Sequence, residues 1–189
     1  MFAKLISDHF DWLVTVDPHL HRYHTLDEIY SIPNSVLHGA SALSEWVKDQ
    51  KDCLLVGPDA ESEQWVSGIA EYSGHPFIIG SKTRLGDKQV NIELPNFQVN
   101  KFTKVIIVDD VISSGFTVLR CFEALKAKHA QDIRCLAVHG IFANGIDSLL
   151  IRAGLKDIVT TNTIPHYSNK IDVAPLLADA IDTHLSEVC

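Results

Sequence analysis

Several features that assign a protein to a functional class are missing from this chain of 189 residues. No stretch approaches the roughly 18 consecutive apolar residues of a membrane-spanning helix, which argues against a membrane partner. The net charge of −8 argues against nucleic acid as the main partner. The N-terminus carries Asp8 and Asp11 close to its start and does not have the pattern of a signal peptide.

Two further motif classes are also missing. Neither a G-x-x-x-x-G-K-[ST] loop nor a G-x-G-x-x-G loop occurs, which excludes the two commonest phosphate-binding signatures. The cysteines show no C-x-x-C spacing; they are Cys53, Cys121, Cys135 and Cys189. In a chain of this size such cysteines are expected to be reduced, so the sequence predicts a cytoplasmic protein.

Strand and helix patterns alternate along the chain. Predicted strands lie at residues 11–17, 53–57, 76–80, 105–108, 134–142 and 157–163. Predicted helices lie at residues 2–10, 34–49 and 146–153, around Trp65, Ile69 and Tyr72, from Val118 to Leu125, and near the C-terminus. Residues 81–100 are irregular and predict a mobile loop or a short hairpin. This alternation predicts an α/β fold with a largely parallel sheet.

The segment of residues 104–117 is the most informative stretch. An apolar strand runs directly into two carboxylates, Asp109 and Asp110, followed by a turn of small residues and a helix. Free N–H groups at the turn and the helix N-terminus would bind a phosphate, and the carboxylates suit sugar hydroxyls or a hydrated divalent cation. The segment therefore predicts a sugar phosphate site, although an ordinary strand-to-helix turn with an N-cap has the same pattern.

Three other groups are candidates for chemistry, each with a plain structural alternative. One group lies within eight residues and consists of Asp17, His19, His21 and His24. It is either a transition-metal site or a solvated turn in which the histidines occur by chance. Asp59 follows a strand and fits a ligand or an N-cap equally well. Lys82 and Arg84 lie on the irregular stretch of residues 81–100. They are either solvated cations or positive charges that a closing loop brings to the phosphoryl group being transferred.

In combination, these motifs identify a family. Residues 104–117 resemble the phosphoribosyl-pyrophosphate (PRPP) loop shared by type I phosphoribosyltransferases and ribose-phosphate pyrophosphokinases, also called PRPP synthetases. The stretches GPDA at residues 57–60, HGIF at 139–142 and TNTIP at 161–165 are similar to those of the pyrophosphokinases, in their archaeal-type branch. The resemblance implies a type I phosphoribosyltransferase-like fold.

The resemblance also implies a role for each candidate residue. His19 and Asp59 would bind the Mg²⁺ that accompanies ATP, and Lys82 and Arg84 would be catalytic. The ribose 5-phosphate would contact Asp109, Asp110, Ser113, Ser114, Gly115, Phe116 and Thr117. Gly115 would let the backbone approach the ligand closely. Phe116 stands where a glycine is commoner in the family and would narrow the approach to the 5-phosphate.

The implied activity is transfer of pyrophosphate from MgATP to the 1-hydroxyl of ribose 5-phosphate. The alternatives are a PRPP-consuming phosphoribosyltransferase and a non-catalytic subunit or fragment that binds sugar phosphate. The resemblance implies three regions: the remainder of an N-terminal domain (residues 1–50), a C-terminal domain (51–165) and a helix that packs back on the first domain (166–189). Because the upstream part of the first domain is expected to be missing, exposed apolar faces predict a homo-oligomer or poor solubility.

Overall fold

A computed structural model of the chain describes residues 1–20, 22–84 and 90–188. Its helices are α1 (Phe2–His9), α2 (Ala40–Lys48), α3 (Glu63–Ser73), α4 (Phe116–Ala127), α5 (Ile146–Ala153) and α6 (Ala174–Val188). Its strands are β1 (Leu13–Val16), β2 (Asn34–Leu37), β3 (Cys53–Gly57), β4 (Phe77–Ile79), β5 (Ser81–Arg84), β6 (Val90–Glu93), β7 (Lys104–Ile112), β8 (Asp132–Gly140), β9 (Asp157–Thr161) and β10 (Asn169–Ile171). None of the helices described here has the length and apolar character to cross a bilayer.

The chain contacts divide it into two units, which we call unit 1 (residues 1–39 and 173–189) and unit 2 (residues 40–172). In unit 1 the short strands β1 and β2 pair in parallel, and helix α6 lies against β2. The Trp12 indole stacks on the His184 imidazole with ring centroids 4.1 Å apart. The assignment of these units to two phosphoribosyltransferase-like domains stays a prediction.

Unit 2 is built on a six-stranded sheet in the order β10-β9-β8-β7-β3-β4, in which every pair is parallel. All five residues of β3 are buried, as are the four apolar residues 105–108 of β7. Burial of consecutive residues means that both faces of the sheet are covered, which explains the continuous apolar runs in the sequence. The predicted α/β fold with a parallel sheet is confirmed.

Several predicted elements have different bounds in the structure. Residues 34–37 form strand β2 instead of the first turn of the predicted helix. The core face of α3 consists of Val66, Ile69 and Ala70, whereas Tyr72 is 66% exposed, so the predicted apolar stripe was wrong at that position. The stretch after β4 contains the antiparallel hairpin β5–β6, which agrees with the predicted hairpin rather than a structureless loop.

Candidate active site

The carboxyl ends of β3, β7 and β8 meet at one edge of the unit 2 sheet. Strand β3 pairs with β7 only up to Ile107, and β7 continues to Ile112 beside β8. Asp109 and Asp110 therefore lie within the last part of β7, on the side where β3 has already ended. The sequence predicted a strand that ends just before the two acids, whereas both acids are part of the strand itself.

The two aspartates lie in a region of concentrated negative charge. Asp110 is buried and Asp109 is half-buried; their Oδ1 atoms accept hydrogen bonds from the backbone N–H of Asp110 (3.0 Å, to Asp109) and of Val111 (2.7 Å, to Asp110). Burial raises the pKa of Asp109 well above its ordinary value, and the charges of Asp110 and Asp59 raise it further. A cation or a set of hydroxyl donors would relieve this repulsion, so the region is suited to such ligands.

The turn after β7 leaves helix α4 open to an anion. Ser113 and Ser114 are exposed, and Gly115 is the N-cap residue of α4 without a side-chain capping bond. The first N–H groups of this 12-residue helix therefore lack a side-chain cap and carry the positive end of the helix dipole. Thr117 is half-buried in the first turn, and the Phe116 ring is 57% exposed. The effect of Phe116 on phosphate approach stays a prediction.

Gly115 has a packing role that the sequence did not predict. Its φ of 67° lies in the left-handed region, and a Cβ built on it would lie 2.3 Å from Cγ1 of Ile146 at the start of α5. The absent side chain thus allows α5 to pack against the turn. The predicted role of Gly115, close approach of the backbone to a ligand, stays a prediction.

Asp59 is both an N-cap and one half of an ion pair. Its Oδ1 accepts hydrogen bonds from the N–H groups of Glu61 (3.1 Å) and Ser62 (3.2 Å). Its Oδ2 accepts from Lys82 Nζ at 2.8 Å, and both side chains are largely buried. The sequence had left open whether Asp59 is a cap, and it is one; the pairing with Lys82 was missed.

The strand register explains why these two residues meet. Strands β3 and β4 are parallel neighbours, and Gly80 N–H donates to the Gly57 carbonyl at 2.7 Å just past their ends. Asp59 follows Gly57 by two residues, and Lys82 follows Gly80 by two residues. Equal offsets past the ends of adjacent parallel strands are a signal that the sequence contained.

The other predicted site residues are placed as follows. Arg84 ends strand β5, but its side chain lies outside the described residues, as does His21. His19 is exposed and belongs to unit 1, whereas Asp59 belongs to unit 2. Their joint role at a metal therefore stays a prediction.

The histidine-rich segment is partly explained by structure. Asp17 is buried, accepts from Gly39 N–H at 2.7 Å, and faces His38 Nδ1 at 3.1 Å, so it joins the ends of β1 and β2. Within the described ranges, no three His, Cys, Asp or Glu side chains come together as a metal cluster. Asp17 thus has a structural role between the two strands, and this role does not support the predicted transition-metal site.

The chemistry of the carboxylate edge suits Mg²⁺, the metal that the resemblance implies. Mg²⁺ takes oxygen ligands, and it is commonly held by one or two carboxylates together with substrate phosphates and water. Asp59 and Asp109 supply such oxygens. Burial raises the pKa of Asp109, and repulsion from Asp110 and Asp59, which a divalent cation would offset, raises it further. Since Lys82 pairs with Asp59 Oδ2, a metal at that oxygen would take the place of the ammonium group.

Hydrogen bonds link the HGIF motif at the end of β8 to the TNTIP motif at the end of β9. His139 Nδ1 lies 2.9 Å from Thr163 Oγ1, and Thr161 Oγ1 donates to the Val138 carbonyl at 2.7 Å. His139 is therefore the strand residue that the sequence predicted. Phe142 is not, because β8 ends at Gly140 and Phe142 adopts a left-handed conformation with φ of 51°.

The sequence is similar to a known family and to several known proteins. Residues 25–176 match the family described as phosphoribosyl transferase domain. A ribose-phosphate pyrophosphokinase of Methanopyrus kandleri is 28% identical over 95% of this chain and 62% of its own length. That of Methanosarcina acetivorans is 31% identical over 86% of this chain and 57% of its own length. The chain thus spans only part of the length of these archaeal relatives.

A solved structure extends the comparison to three dimensions. The phosphoribosylpyrophosphate synthetase of Mycobacterium smegmatis aligns with 98% of this chain and 64% of its own chain, with a TM-score of 0.77 and 22% identity. At this identity the likeness establishes the shared fold. Together with the archaeal relatives, it confirms the resemblance that the motifs had indicated.

Proposed function

We propose that this chain, which belongs to the family of phosphoribosyl transferase domains, carries the ribose 5-phosphate site of a ribose-phosphate pyrophosphokinase. In this reaction the 1-hydroxyl oxygen of ribose 5-phosphate attacks the β-phosphorus of ATP. The bond between that phosphorus and the oxygen bridging it to the α-phosphorus breaks, giving PRPP and AMP. The hydroxyl proton passes to solvent. The substrates are therefore ATP and ribose 5-phosphate.

One observation carries this proposal. Two carboxylates in the last part of β7 and an uncapped helix N-terminus lie at the two ends of a single short segment, residues 109–117. The N–H groups would bind the 5-phosphate, and Asp109 and Asp110 would accept hydrogen bonds from the ribose hydroxyls. A ribose with one phosphate presents both an anion and hydroxyl groups, which these two parts of the segment would bind.

The second substrate would be bound beside this segment. Lys82, which pairs with Asp59 in this structure and would be released when Mg²⁺ binds there, would donate to the transferring phosphoryl group, and Arg84 on the same strand would assist it. His19 and Asp59 would hold Mg²⁺, which when bound neutralises phosphate charge. The protein would act by positioning and charge stabilisation, as is usual for phosphoryl transfer.

Three broader proposals accompany the activity. Residues 1–50, 51–165 and 166–189 would correspond to the end of one phosphoribosyltransferase-like domain, a second such domain, and a helix returning to the first. The protein would act as a homo-oligomer in the cytoplasm. The last point is supported by the free, buried thiols of Cys53, Cys121 and Cys135, because disulfides are rare in cytosolic proteins.

The test combines a binding and a turnover measurement on the same preparation. Calorimetry should show binding of ribose 5-phosphate, and AMP should appear from ATP only when ribose 5-phosphate and Mg²⁺ are present. Binding without AMP release would instead support the non-catalytic alternative. Failure to bind ribose 5-phosphate would overturn the proposal.

A further inference from the structure

A short segment after β8 lies directly beneath the phosphate-binding turn. We call residues 141–145 the strap. Its Ile141 and Phe142 N–H groups both donate to the Ile112 carbonyl, at 3.0 and 2.9 Å, and its Ala143 N–H donates to the Ser113 carbonyl at 3.0 Å. The strap therefore holds the last carbonyl of β7 and the first carbonyl of the turn.

The backbone of the strap is in an unfavourable conformation. Phe142 and Asn144 have φ angles of 51° and 58°, which lie in the left-handed region. A bulky residue rarely adopts this region and keeps it only where surrounding contacts impose it. The conformation of the strap, and hence its grip on the turn, must therefore depend on what packs against Phe142.

Two contacts hold the Phe142 ring in place. Gly140 lies against one part of the ring, so that an added Cβ would be 2.3 Å from Phe142 Cε2. The His166 imidazole packs on the ring with centroids 4.2 Å apart and planes inclined by 32°. Phe142 is only 8% exposed as a result.

The His166 ring is itself fixed by polar contacts. Its Nδ1 lies 2.8 Å from Ser168 Oγ, its backbone N–H donates to Asn169 Oδ1 at 2.8 Å, and its Nε2 is 3.6 Å from Asp147 Oδ2. Ser168 is buried and also bonds to Thr160 Oγ1 at 2.7 Å. The imidazole thus forms a fixed wall for Phe142.

We infer that Phe142 and His166 are positioning residues for the 5-phosphate of ribose 5-phosphate. The inference rests on the proposed function and adds a part to it that lies outside the ligand-contacting segment. The turn has exposed serines and no side-chain cap, so its shape depends on the strap and on Ile146 beneath Gly115. It also gives a role to Phe142 of the HGIF motif and to His166, which directly follows TNTIP.

The first test displaces the ring without removing an atom. In Gly140→Ala the new Cβ must push the Phe142 ring away from its position. We expect ribose 5-phosphate binding by calorimetry to weaken at least about tenfold, because small misplacements of a binding group cost one to two orders of magnitude. The KM for ATP should change by less than about twofold, because the phosphates of ATP would be bound at a different place from the 5-phosphate. Gly68→Ala is the matched control, because its Cβ would meet only Ala40 at 3.8 Å.

A second pair of variants separates ring packing from hydrogen bonding. His166→Phe keeps a ring against Phe142 and loses only the polar contacts of the imidazole. Ser168 retains Thr160 as a partner. His166→Asn keeps a polar group near the Nδ1 position and loses the ring. We expect the asparagine variant to weaken ribose 5-phosphate binding as Gly140→Ala does, and the phenylalanine variant to remain within about threefold of wild type.

The outcomes distinguish the two levels of the argument. Wild-type affinity in both Gly140→Ala and His166→Asn, or equal loss of affinity for both substrates, would overturn the positioning role while leaving the proposed function intact. Absence of ribose 5-phosphate binding in the wild type would overturn the proposed function and this inference with it.

Discussion

Unit 2 and unit 1 differ in how much apolar surface they bury. In unit 2 the residues of β3, most of β7 and the inner faces of α3, α4 and α5 are buried. In unit 1, α1 has no buried residue, and β1 is only half-buried along its length. Leu26 and Val173 are the hydrophobic residues of unit 1 that are buried among those the structure describes.

The unfavourable features of the site lie in the unit with the larger core. Three carboxylates near one another and a left-handed phenylalanine each destabilise the folded chain. The large buried core of unit 2 can offset these unfavourable contributions to folding, whereas the small core of unit 1 could not. We therefore expect the sugar phosphate site to be formed before the ligand binds. We also expect mutations in unit 2 to change stability more than mutations in unit 1.

The largest effect on stability should come from the centre of the unit 2 sheet. Leu136 is fully buried in β8, between Val108 and Val159 on the neighbouring strands. Leu136→Ala should lower the free energy of unfolding by about 2–5 kcal/mol, through lost burial and the cavity that remains. Urea denaturation measures it, with Leu149→Ala as control because Leu149 is 41% exposed. Equal losses in both variants would contradict the assignment of Leu136 to the packed core of unit 2.

The next effect concerns catalysis rather than folding. Lys82→Ala in the active protein should lower turnover by about 10²–10³, the usual cost of removing one group that stabilises developing charge. The Kd for ribose 5-phosphate should stay within about threefold of wild type. Asp59 retains the N–H groups of Glu61 and Ser62, so the fold should persist.

The control for this variant is another lysine–aspartate pair of unit 2. Lys170 Nζ lies 2.6 Å from Asp157 Oδ2 but is exposed, so Lys170→Ala should leave turnover unchanged. Equal activity in Lys82→Ala and wild type would remove Lys82 from the mechanism. Loss of ribose 5-phosphate binding in Lys82→Ala would instead assign it to the sugar phosphate site.

A smaller effect should appear as a pH dependence of stability at the carboxylate edge. The folded-state pKa of Asp109 is raised by burial, then by Asp110 and Asp59. The folded state therefore holds this proton more tightly than the unfolded state, and its stabilising contribution is lost as pH rises through the raised pKa. Asp109→Asn should be more stable than wild type at neutral pH, with the difference vanishing in acid, and should bind ribose 5-phosphate at least about tenfold more weakly.

Asp132, the first residue of β8, provides the opposite sign of pH dependence at the edge of the sheet opposite to Asp109. The hydrogen bond from Arg134 lowers the pKa of Asp132, despite partial burial. Its contribution is therefore present at neutral pH and lost as pH falls through the lowered pKa. Asp132→Asn should be less stable than wild type at neutral pH and should bind ribose 5-phosphate normally. Chemical denaturation from pH 3 to 8 tests both variants, and the same sign for both would contradict the assignment.

Contiguous features of the molecule were predictable from the sequence. Strand β3 and helix α5 have the predicted bounds, because an apolar run and an amphipathic period are local properties. The two acids, the turn and the helix start of residues 109–117 also lie together because they are adjacent in the chain. For this segment the sequence missed only that the strand continues through the acids and that Gly115 accommodates Ile146.

Features that depend on distant parts of the chain were not predictable in the same way. Strand β2 has the sequence NSVL, which lacks a strand pattern, and it exists because it pairs with β1. The ion pair of Asp59 and Lys82 requires two strand ends to be neighbours. The packing of His166 on Phe142 likewise requires the segment after β9 to return beside β8. Each depends on which distant segments become neighbours, and the equal offsets of Asp59 and Lys82 are a signal only once β3 and β4 are known to be adjacent.

The smallest change in stability is expected in unit 1, where association should change instead. Phe2 and Leu5 on α1 are 69% and 54% exposed, which supports the prediction of self-association through apolar surface. Leu5→Ser should change the free energy of unfolding by less than about 0.5 kcal/mol and shift sedimentation velocity profiles toward smaller species. Leu149→Ser, an exposed leucine of unit 2, is the matched control. If Leu149→Ser dissociates the protein as much as Leu5→Ser does, the associating surface is not confined to unit 1. Exposed leucines of both units would then contribute equally to association.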